Sequence, residues 1–254
     1  MLDISVIIIS KNDEDVVADA IKSVKGFAKE VVVIDSSTND ETQKISEKNG
    51  ATVIRHPFKN FSDQRNFGIL HASTNWVLYL DSDERLTERF KAEVERAIES
   101  YDSYSAIAGY YIKRQTFYYG QDWHFQDRVQ RLFFREKFIE WSGVVHETPK
   151  VKGEFGHIQS PIVHLTHRNL TQMLRKTNEW SEYEAKLRFD AAHPHLEPWR
   201  FLRVMLTEFV SSYFKNKGYK NGTFGLIEAI YQSFSIFITY AKLWELQEKE
   251  LKKS

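Results

Sequence analysis

The 254-residue sequence predicts an α/β protein, a mixed sheet with helices on both faces followed by a helical C-terminal appendage. Three observations carry that expectation. Up to Leu80, short and fully apolar β-branched runs alternate with segments of helical period, the pattern of parallel strands covered on both faces. From Ala106 the alternation gives way to strand-like runs with no helix between them, and from Leu170 onward the apolar spacing is helical.

In order, Ser5-Val6-Ile7-Ile8-Ile9-Ser10 is the first strand, and Glu14 to Val24 is a helix with apolar residues at Val16, Val17, Ala20, Ile21 and Val24. Glu30-Val31-Val32-Val33-Ile34 is a strand, Thr38 to Lys48 a helix, Ala51-Thr52-Val53-Ile54 a strand and Phe61 to His71 a helix. Trp76-Val77-Leu78-Tyr79-Leu80 is the fourth strand. Beyond Tyr101, Ala106 to Lys113 and Val129 to Phe134 are expected strands, separated by a Tyr-, Trp- and His-rich loop from Phe117 to Phe125. The break at His193-Pro194-His195-Leu196-Glu197-Pro198 sets a boundary between residues 1–196 and an appendage, 197–254.

With no cysteine, the chain has no disulfide, no Cys-based zinc site and no thiol nucleophile. Its 42% hydrophobic content argues against disorder, and its length suffices for one large domain with an appendage. The 35 Lys and Arg balance 35 Asp and Glu, so no global electrostatic footprint for nucleic acid exists. The balance hides a split: residues 1–100 carry 18 acids and 13 bases, residues 101–254 carry 17 and 22. Met1-Leu2-Asp3-Ile4-Ser5 lacks the basic and long apolar regions of a signal peptide, so a cytoplasmic location is expected. Oligomeric state is not legible.

The strongest chemical feature is Asp81-Ser82-Asp83 directly after the fourth strand. Ligands of parallel sheets bind at the carboxyl ends of the strands, and two carboxylates one residue apart suit a hard divalent cation that shares its shell with phosphates. The alternative is a solvated turn, with Asp83 capping a helix that begins near Leu86. Three other strand ends point to the same edge: Ser10-Lys11-Asn12-Asp13-Glu14, Asp35-Ser36-Ser37-Thr38-Asn39-Asp40, and Asp63-Gln64-Arg65-Asn66 at the start of a helix. Together they supply polar groups able to hold a base, a ribose and a diphosphate, with Gln64-Arg65 at a helix N-terminus as the anion site. Each is also an ordinary helix cap on its own.

These segments resemble the inverting glycosyltransferases of family 2, which have the GT-A, nucleotide-diphospho-sugar transferase fold. Ser5 to Glu14 is similar to the family's first strand with its Asn and acid. Val33-Ile34-Asp35-Ser36-Ser37-Thr38-Asn39-Asp40-Glu41-Thr42 is close to its D-S-G-S-x-D-x-T, departing at Ser37 and Asn39. Gln64-Arg65-Asn66-Phe67 and Trp76 to Glu84 continue the match. Arg128-Val129-Gln130-Arg131-Leu132-Phe133 and Trp141-Ser142-Gly143-Val144-Val145-His146-Glu147 resemble more narrowly the lipopolysaccharide-core heptose β-1,4-glucosyltransferases.

The resemblance implies a nucleotide-sugar-binding half at 1–100 and an acceptor-binding half at 101–196. It implies a UDP-sugar donor, UDP-glucose first, a saccharide or glycolipid acceptor such as inner-core lipopolysaccharide, and Mg²⁺ or Mn²⁺ as cofactor. Ser10, Asn12, Glu14, Asp35, Gln64, Arg65, Asp81 and Ser82 are then expected at the donor. Asp83 is the chief metal ligand, with Asp81 beside it, and His164 is a further ligand or else a hydrogen-bonded strand histidine. The departing diphosphate needs cations, for which Arg65, Arg128 and Arg131 are the candidates. Arg128 and Arg131 stand three apart on a strand and so on opposite faces. Inversion needs a general base, expected at Glu147 with Asp127 as runner-up, and His146 is expected at the diphosphate or metal. Trp123 and Trp141 are either sugar-stacking or core aromatics.

Other classes fit less well. A haloacid-dehalogenase-type phosphohydrolase wants its motif on the first strand and a Thr where Arg85 stands. A sugar nucleotidyltransferase wants a Gly-rich basic loop after strand one, and Ser10 to Glu14 holds no glycine. A non-catalytic sugar-binding homologue has no need of Asp81, Asp83 and Glu147 together. Walker A and G-x-G-x-x-G patterns are missing. In the appendage, Pro198 to Phe214 and Gly225 to Ala241 read as an aromatic, basic, amphipathic helix pair too polar to span a bilayer. Docking on an anionic membrane surface is the expectation, with a helical cover or a dimer contact as the alternative.

Overall fold

The computed structural model describes residues 1–36, 40–102, 104–143 and 147–252, with 124 and 125 as backbone only. Two compact units emerge, one of residues 1–116 with 126–165 and the other of 117–125 with the chain from Thr166 onward.

The first unit is built on an eight-stranded sheet. Its parallel part comprises β1 (Leu2–Ser10), β2 (Ala28–Asp35), β3 (Thr52–Arg55) and β4 (Trp76–Asp81), in the spatial order β3-β2-β1-β4. The chain steps outward from β1 to β3 and then returns to the other side of β1, so a topological switch point lies between β1 and β4. The order continues β7 (Gln121–Phe134), β6 (Ile107–Tyr118), β10 (Glu154–Thr166) and β5 (Glu84–Arg85), with β4 antiparallel to β7 and β5 antiparallel to β10. This is the expected mixed sheet.

β1 is buried on both faces, which is why it reads as an unbroken apolar run. Ile4, Val6 and Ile8 pack into one cluster with Val17, Ala20, Ile21 and Val24 of α1 (Val17–Val24) and Phe90 and Val94 of α4 (Glu88–Glu99). Ile7 faces the other cluster, with Tyr79, Phe133, Trp141 and the Phe67 ring of α3 (Phe61–Ile69). Gly68 lets α3 lie close to the sheet, since a Cβ there would stand 2.7 Å from Ile7 Cγ2. α2 (Thr42–Lys48) and a two-stranded sheet of β8 (Phe138–Ser142) and β9 (Thr148–Val151) complete the unit.

Several sequence expectations are corrected. The first helix begins at Val17 rather than Glu14, because Asp13 O accepts the Val16 and Val17 N–H groups in a preceding turn. Asp83 does not cap α4. Thr87 does, accepting Phe90 N–H at 3.2 Å, because Glu84 and Arg85 are drawn into a strand with β10. Phe117 to Phe125 is not a loop. β6 and β7 run through it and meet at Tyr119-Gly120, both at positive φ, 51° and 73°, the two-residue turn whose twist matches that of the strands.

In the second unit, α5 (Leu170–Asp190), α6 (Pro198–Val210) and α7 (Gly222–Leu251) are joined by residues 191–197 and 211–221; the sequence break at 193–198 thus falls inside this unit, between α5 and α6. α6 ends in a π-turn at Ser211–Lys215, and α7 runs ten residues past the expected Ala241. Gly225 is required by close approach: a Cβ there would lie 1.8 Å from Gly218 O. Among the described residues, no helix is long and apolar enough to cross a membrane.

Candidate active site

The parallel register carries the strand-end residues to one edge. Ser10 pairs with Asp35, Ile9 with Asp81, and Asp35 with Arg55. Asp13 gathers the first loop, accepting from Ser82 Oγ at 2.7 Å, Lys11 N–H at 3.0 Å and Ser10 Oγ at 3.3 Å. Asn12 holds the left-handed φ of 56° that Asn tolerates, and its side chain is exposed. Glu14 accepts Glu41 N–H at 2.9 Å and donates its own N–H to Asp40, tying the first loop to the second. Asp35 is buried, and so is the Ser36 hydroxyl, which has no partner among the described residues.

α3 delivers Arg65. Asn60 caps the helix by accepting Asp63 N–H at 2.8 Å. Gln64 turns inward and donates to the His56 and Pro57 carbonyls at 3.1 and 3.0 Å, which fixes the approach loop. Tyr79 donates its hydroxyl to Arg65 O at 2.9 Å, and burial pushes that phenol well above its ordinary value. Asn66 clasps β8, donating to Trp141 O at 2.8 Å and accepting Trp141 N–H at 2.7 Å, while Ser62 donates to Gly143 O at 2.6 Å. These bonds bring the start of the 143–147 segment to Arg65.

The Arg65 guanidinium is 2% exposed and lies 5.0 Å from the Trp141 ring centre. It donates to Asp81 Oδ1 at 3.0 Å and to Glu147 Oε1. Arg131 donates to the other Asp81 oxygen at 2.7 Å. Arg128, on the opposite face of β7, is exposed. Burial would raise the Asp81 carboxyl, but the Arg131 and Arg65 charges overcome it and hold the group well below the usual carboxylate range. Glu84, wholly buried, accepts Asp81 N–H at 2.9 Å and an Arg114 N–H at 3.3 Å. Burial and the Asp81 charge push it above its ordinary value. Arg114 also forks onto both oxygens of Asp127, at 3.0 Å through Nε. Asp127 therefore has no oxygen outside that fork.

Asp83 and His164 meet because β10 pairs with β5, placing His164 opposite Glu84 and Leu165 N–H on Asp83 O at 2.9 Å. His164 Nε2 lies 3.6 Å from Asp83 Oδ1, and its Nδ1 is buried without a partner among the described residues. Burial lowers the imidazole, but the Asp83 contact outweighs it and the net direction is upward.

Among the described residues, no three His, Asp or Glu groups converge to hold a metal unaided. The Asp83–His164 pair, a hard carboxylate oxygen and the imidazole Nε2 3.6 Å apart, fits Mg²⁺ or Mn²⁺ as a two-ligand half-site completed by phosphate oxygens. Asp81 fits less well, both its oxygens being engaged by guanidinium groups.

Sequence reasoning missed Glu84, Arg114 and the clasp made by Asn66. The available signals were a carboxylate directly after the D-x-D and an arginine inside an aromatic strand. Trp141 and Trp123 are both buried core side chains. His146, Ser37 and Asn39 lie outside the described residues.

A parallel β3-β2-β1-β4 half joined to an antiparallel half, with D-x-D at the switch point, is the GT-A architecture of glycosyltransferases. Residues 5–153 match the family described as glycosyl transferase family 2, and the chain belongs to that family. It is 27% identical over 268 residues to an uncharacterized glycosyltransferase of Rickettsia typhi, covering 98% of this chain and 89% of the relative. It is 25% identical over 258 residues to the lipopolysaccharide core biosynthesis glycosyltransferase LpsC of Rhizobium meliloti, covering 96% and 93%. Among solved structures, it is similar to glucosyl-3-phosphoglycerate synthase from Mycobacterium tuberculosis in complex with Mn²⁺, UDP and glucosyl-3-phosphoglycerate. That likeness is at 22% identity and TM-score 0.35, over 45% of this chain and 43% of that one.

Proposed function

We propose that the protein is an inverting hexosyltransferase that moves a hexose, glucose first, from a UDP-sugar to a hydroxyl of a membrane-borne saccharide such as a lipopolysaccharide core. The observation that carries the reading is the buried Arg65–Asp81–Arg131 cluster with Glu147 at its rim, set at the carboxyl edge of the switch point. Buried guanidinium groups held by one carboxylate are preorganised for a diphosphate, whose charge grows as the sugar C1–O bond breaks. Arg65 Nε and Arg131 Nη1 are buried without partners among the described residues, which leaves N–H capacity for that anion.

In this reading Ser10, Asn12, Glu14, Asp35, Gln64 and Ser82 shape the donor side, Gln64 and Glu14 through the loops they hold. Asp81 orients the two arginines. Asp83 and His164 hold the divalent cation, which supplies charge neutralisation at the diphosphate when bound. Glu147 takes the acceptor hydroxyl proton as the new C1–O bond forms on the face opposite the leaving diphosphate. The diphosphate and Glu147 compete for Arg65, so donor binding frees the base. Asp127, locked in the Arg114 fork, is the weaker candidate for that role. The relationship to LpsC supports the lipopolysaccharide acceptor, and such an acceptor implies a cytoplasmic protein working at the inner membrane face.

The test is thermal stabilisation by UDP-, GDP-, CMP- and dTDP-sugars with and without Mn²⁺. A Mn²⁺-dependent shift with one UDP-hexose is expected, and no shift with any of them overturns the donor assignment.

A further inference from the structure

We infer that the α6–α7 pair is a docking face for an anionic phospholipid bilayer. This deepens the proposed membrane-borne acceptor and rests on it for its purpose.

The face is fixed by helix periodicity. α6 meets α7 in antiparallel fashion, with Ser233 Oγ donating to Met205 O at 3.0 Å and the Phe201 and Phe237 rings 6.0 Å apart. At 3.6 residues per turn, Leu202, Leu206 and Val210 fall to one side of that seam on α6. Ile227, Ile230 and Phe234 fall to the same side on α7, because an antiparallel partner winds in the opposite sense when viewed from one end. These six side chains are exposed, Leu202 at 73% and Leu206 at 65%, and form one apolar strip on the helix pair. Single exposed apolar residues are ordinary, whereas a strip two helices wide marks an interaction surface.

Charge selects the occupant. From Pro198 to Leu251 the chain carries seven bases and five acids, with the excess around the connection between the helices. Arg200, Arg203, Lys215, Lys217 and Lys220 stand with Glu208 alone before Ile227. Glu228 is buried on His167, and Glu245, Glu248 and Glu250 lie in the last turns of α7 beside Lys242 and Lys249. Arg200 and Arg203 lie 5.4 and 5.6 Å from the ring centre of Trp199, which is itself exposed. An apolar strip edged by an arginine-flanked tryptophan at one end and lysines at the other matches the layering of a bilayer surface, with acyl chains below and anionic headgroups above. A second copy of the same face would set these bases against one another.

The experiment is co-sedimentation of the full chain with vesicles of roughly three parts phosphatidylcholine to one of phosphatidylglycerol, against phosphatidylcholine alone. The wild type is expected to bind the anionic vesicles at least about tenfold more tightly, and to release several-fold between about 0.1 and 0.5 M salt as the charges are screened. Leu202→Glu with Leu206→Glu, and separately Arg203→Glu with Lys217→Glu, should each weaken binding about tenfold while circular dichroism stays unchanged. Equal binding to neutral vesicles, or full binding by both double variants, overturns the proposal. So does a wild-type dimer that Leu202→Glu with Leu206→Glu dissociates without any vesicle binding, since the occupant is then a second copy. Transfer to a water-soluble saccharide is read in parallel: a wild type that transfers to none sinks the transferase reading, whereas a wild type that transfers but does not bind the anionic vesicles sinks the docking face alone.

Discussion

The two halves of the eight-stranded sheet meet the same edge by opposite means. β1, β2 and β4 are sealed on both faces by apolar side chains and reach the site only with their ends, so Ser10, Asp35 and Asp81 arrive there through register alone. β6, β7 and β10 instead carry charge along their length, and Arg114, Arg131 and His164 enter the site from inside strands. One half provides a rigid floor, its strand-end carboxylates and, through α3, Arg65; the other adds Arg114, Arg131 and His164, which orient those carboxylates. Buried carboxylates at strand ends are tolerable only because the other half supplies partners, since a buried charge without one costs several kcal/mol.

The contrast is broken most directly at Asp83 and His164, one from each half. Asp83→Ala should lower kcat/KM by at least about 10³-fold and remove the Mn²⁺ dependence of donor binding, as loss of a metal worth several kcal/mol implies. His164→Ala should act in the same direction. Unaltered Mn²⁺ dependence in that variant would mean that the antiparallel half contributes no ligand. Arg131→Leu strands Asp81 and weakens the support of Glu84, so chemical denaturation should show a loss of about 3–5 kcal/mol. A loss below about 1 kcal/mol would mean that water already reaches the cluster. Glu147→Gln removes the carboxylate that competes with the diphosphate for Arg65, so donor affinity should hold or rise while kcat falls by about 10²-fold or more. Weakened donor binding instead would move Glu147 to the donor side.

The same contrast explains what was legible. Parallel strands buried on both faces write themselves as unbroken runs, so β1 to β4 and the D-x-D edge could be read from residue types alone. The antiparallel half is mostly half-buried along β6 and β10, mixes aromatics with charges, and turns at Tyr119-Gly120 with only one glycine, so the hairpin reads as a loop. Arg131 and Glu147 stand in segments that the family resemblance picks out, but the fork of Arg114 onto Asp127 is not legible, because nothing local announces a partner thirteen positions away across a hairpin. The Asn66 clasp on Trp141 links positions 75 apart, and no periodicity encodes it.

The smallest expected effect lies away from the site and separates the halves by acid sensitivity. Glu93 on α4 accepts the Gln159 and Ser160 N–H groups of β10 at 2.7 and 2.8 Å. Burial opposes its ionisation, but these hydrogen bonds outweigh that and hold the carboxyl below its ordinary value. A depressed carboxyl contributes stability that is complete above the unfolded value, about 4.5, and is lost as pH falls through the lower folded value. Solvent screening keeps the contribution within about 1 kcal/mol. Glu93→Gln should therefore be less stable than the wild type by up to that amount at pH about 7, with the difference closing as urea unfolding is repeated down to pH about 3. A gap that stays constant with pH would mean that the glutamine loses packing rather than a charged acceptor, and that β10 is held to α4 by contacts indifferent to protonation.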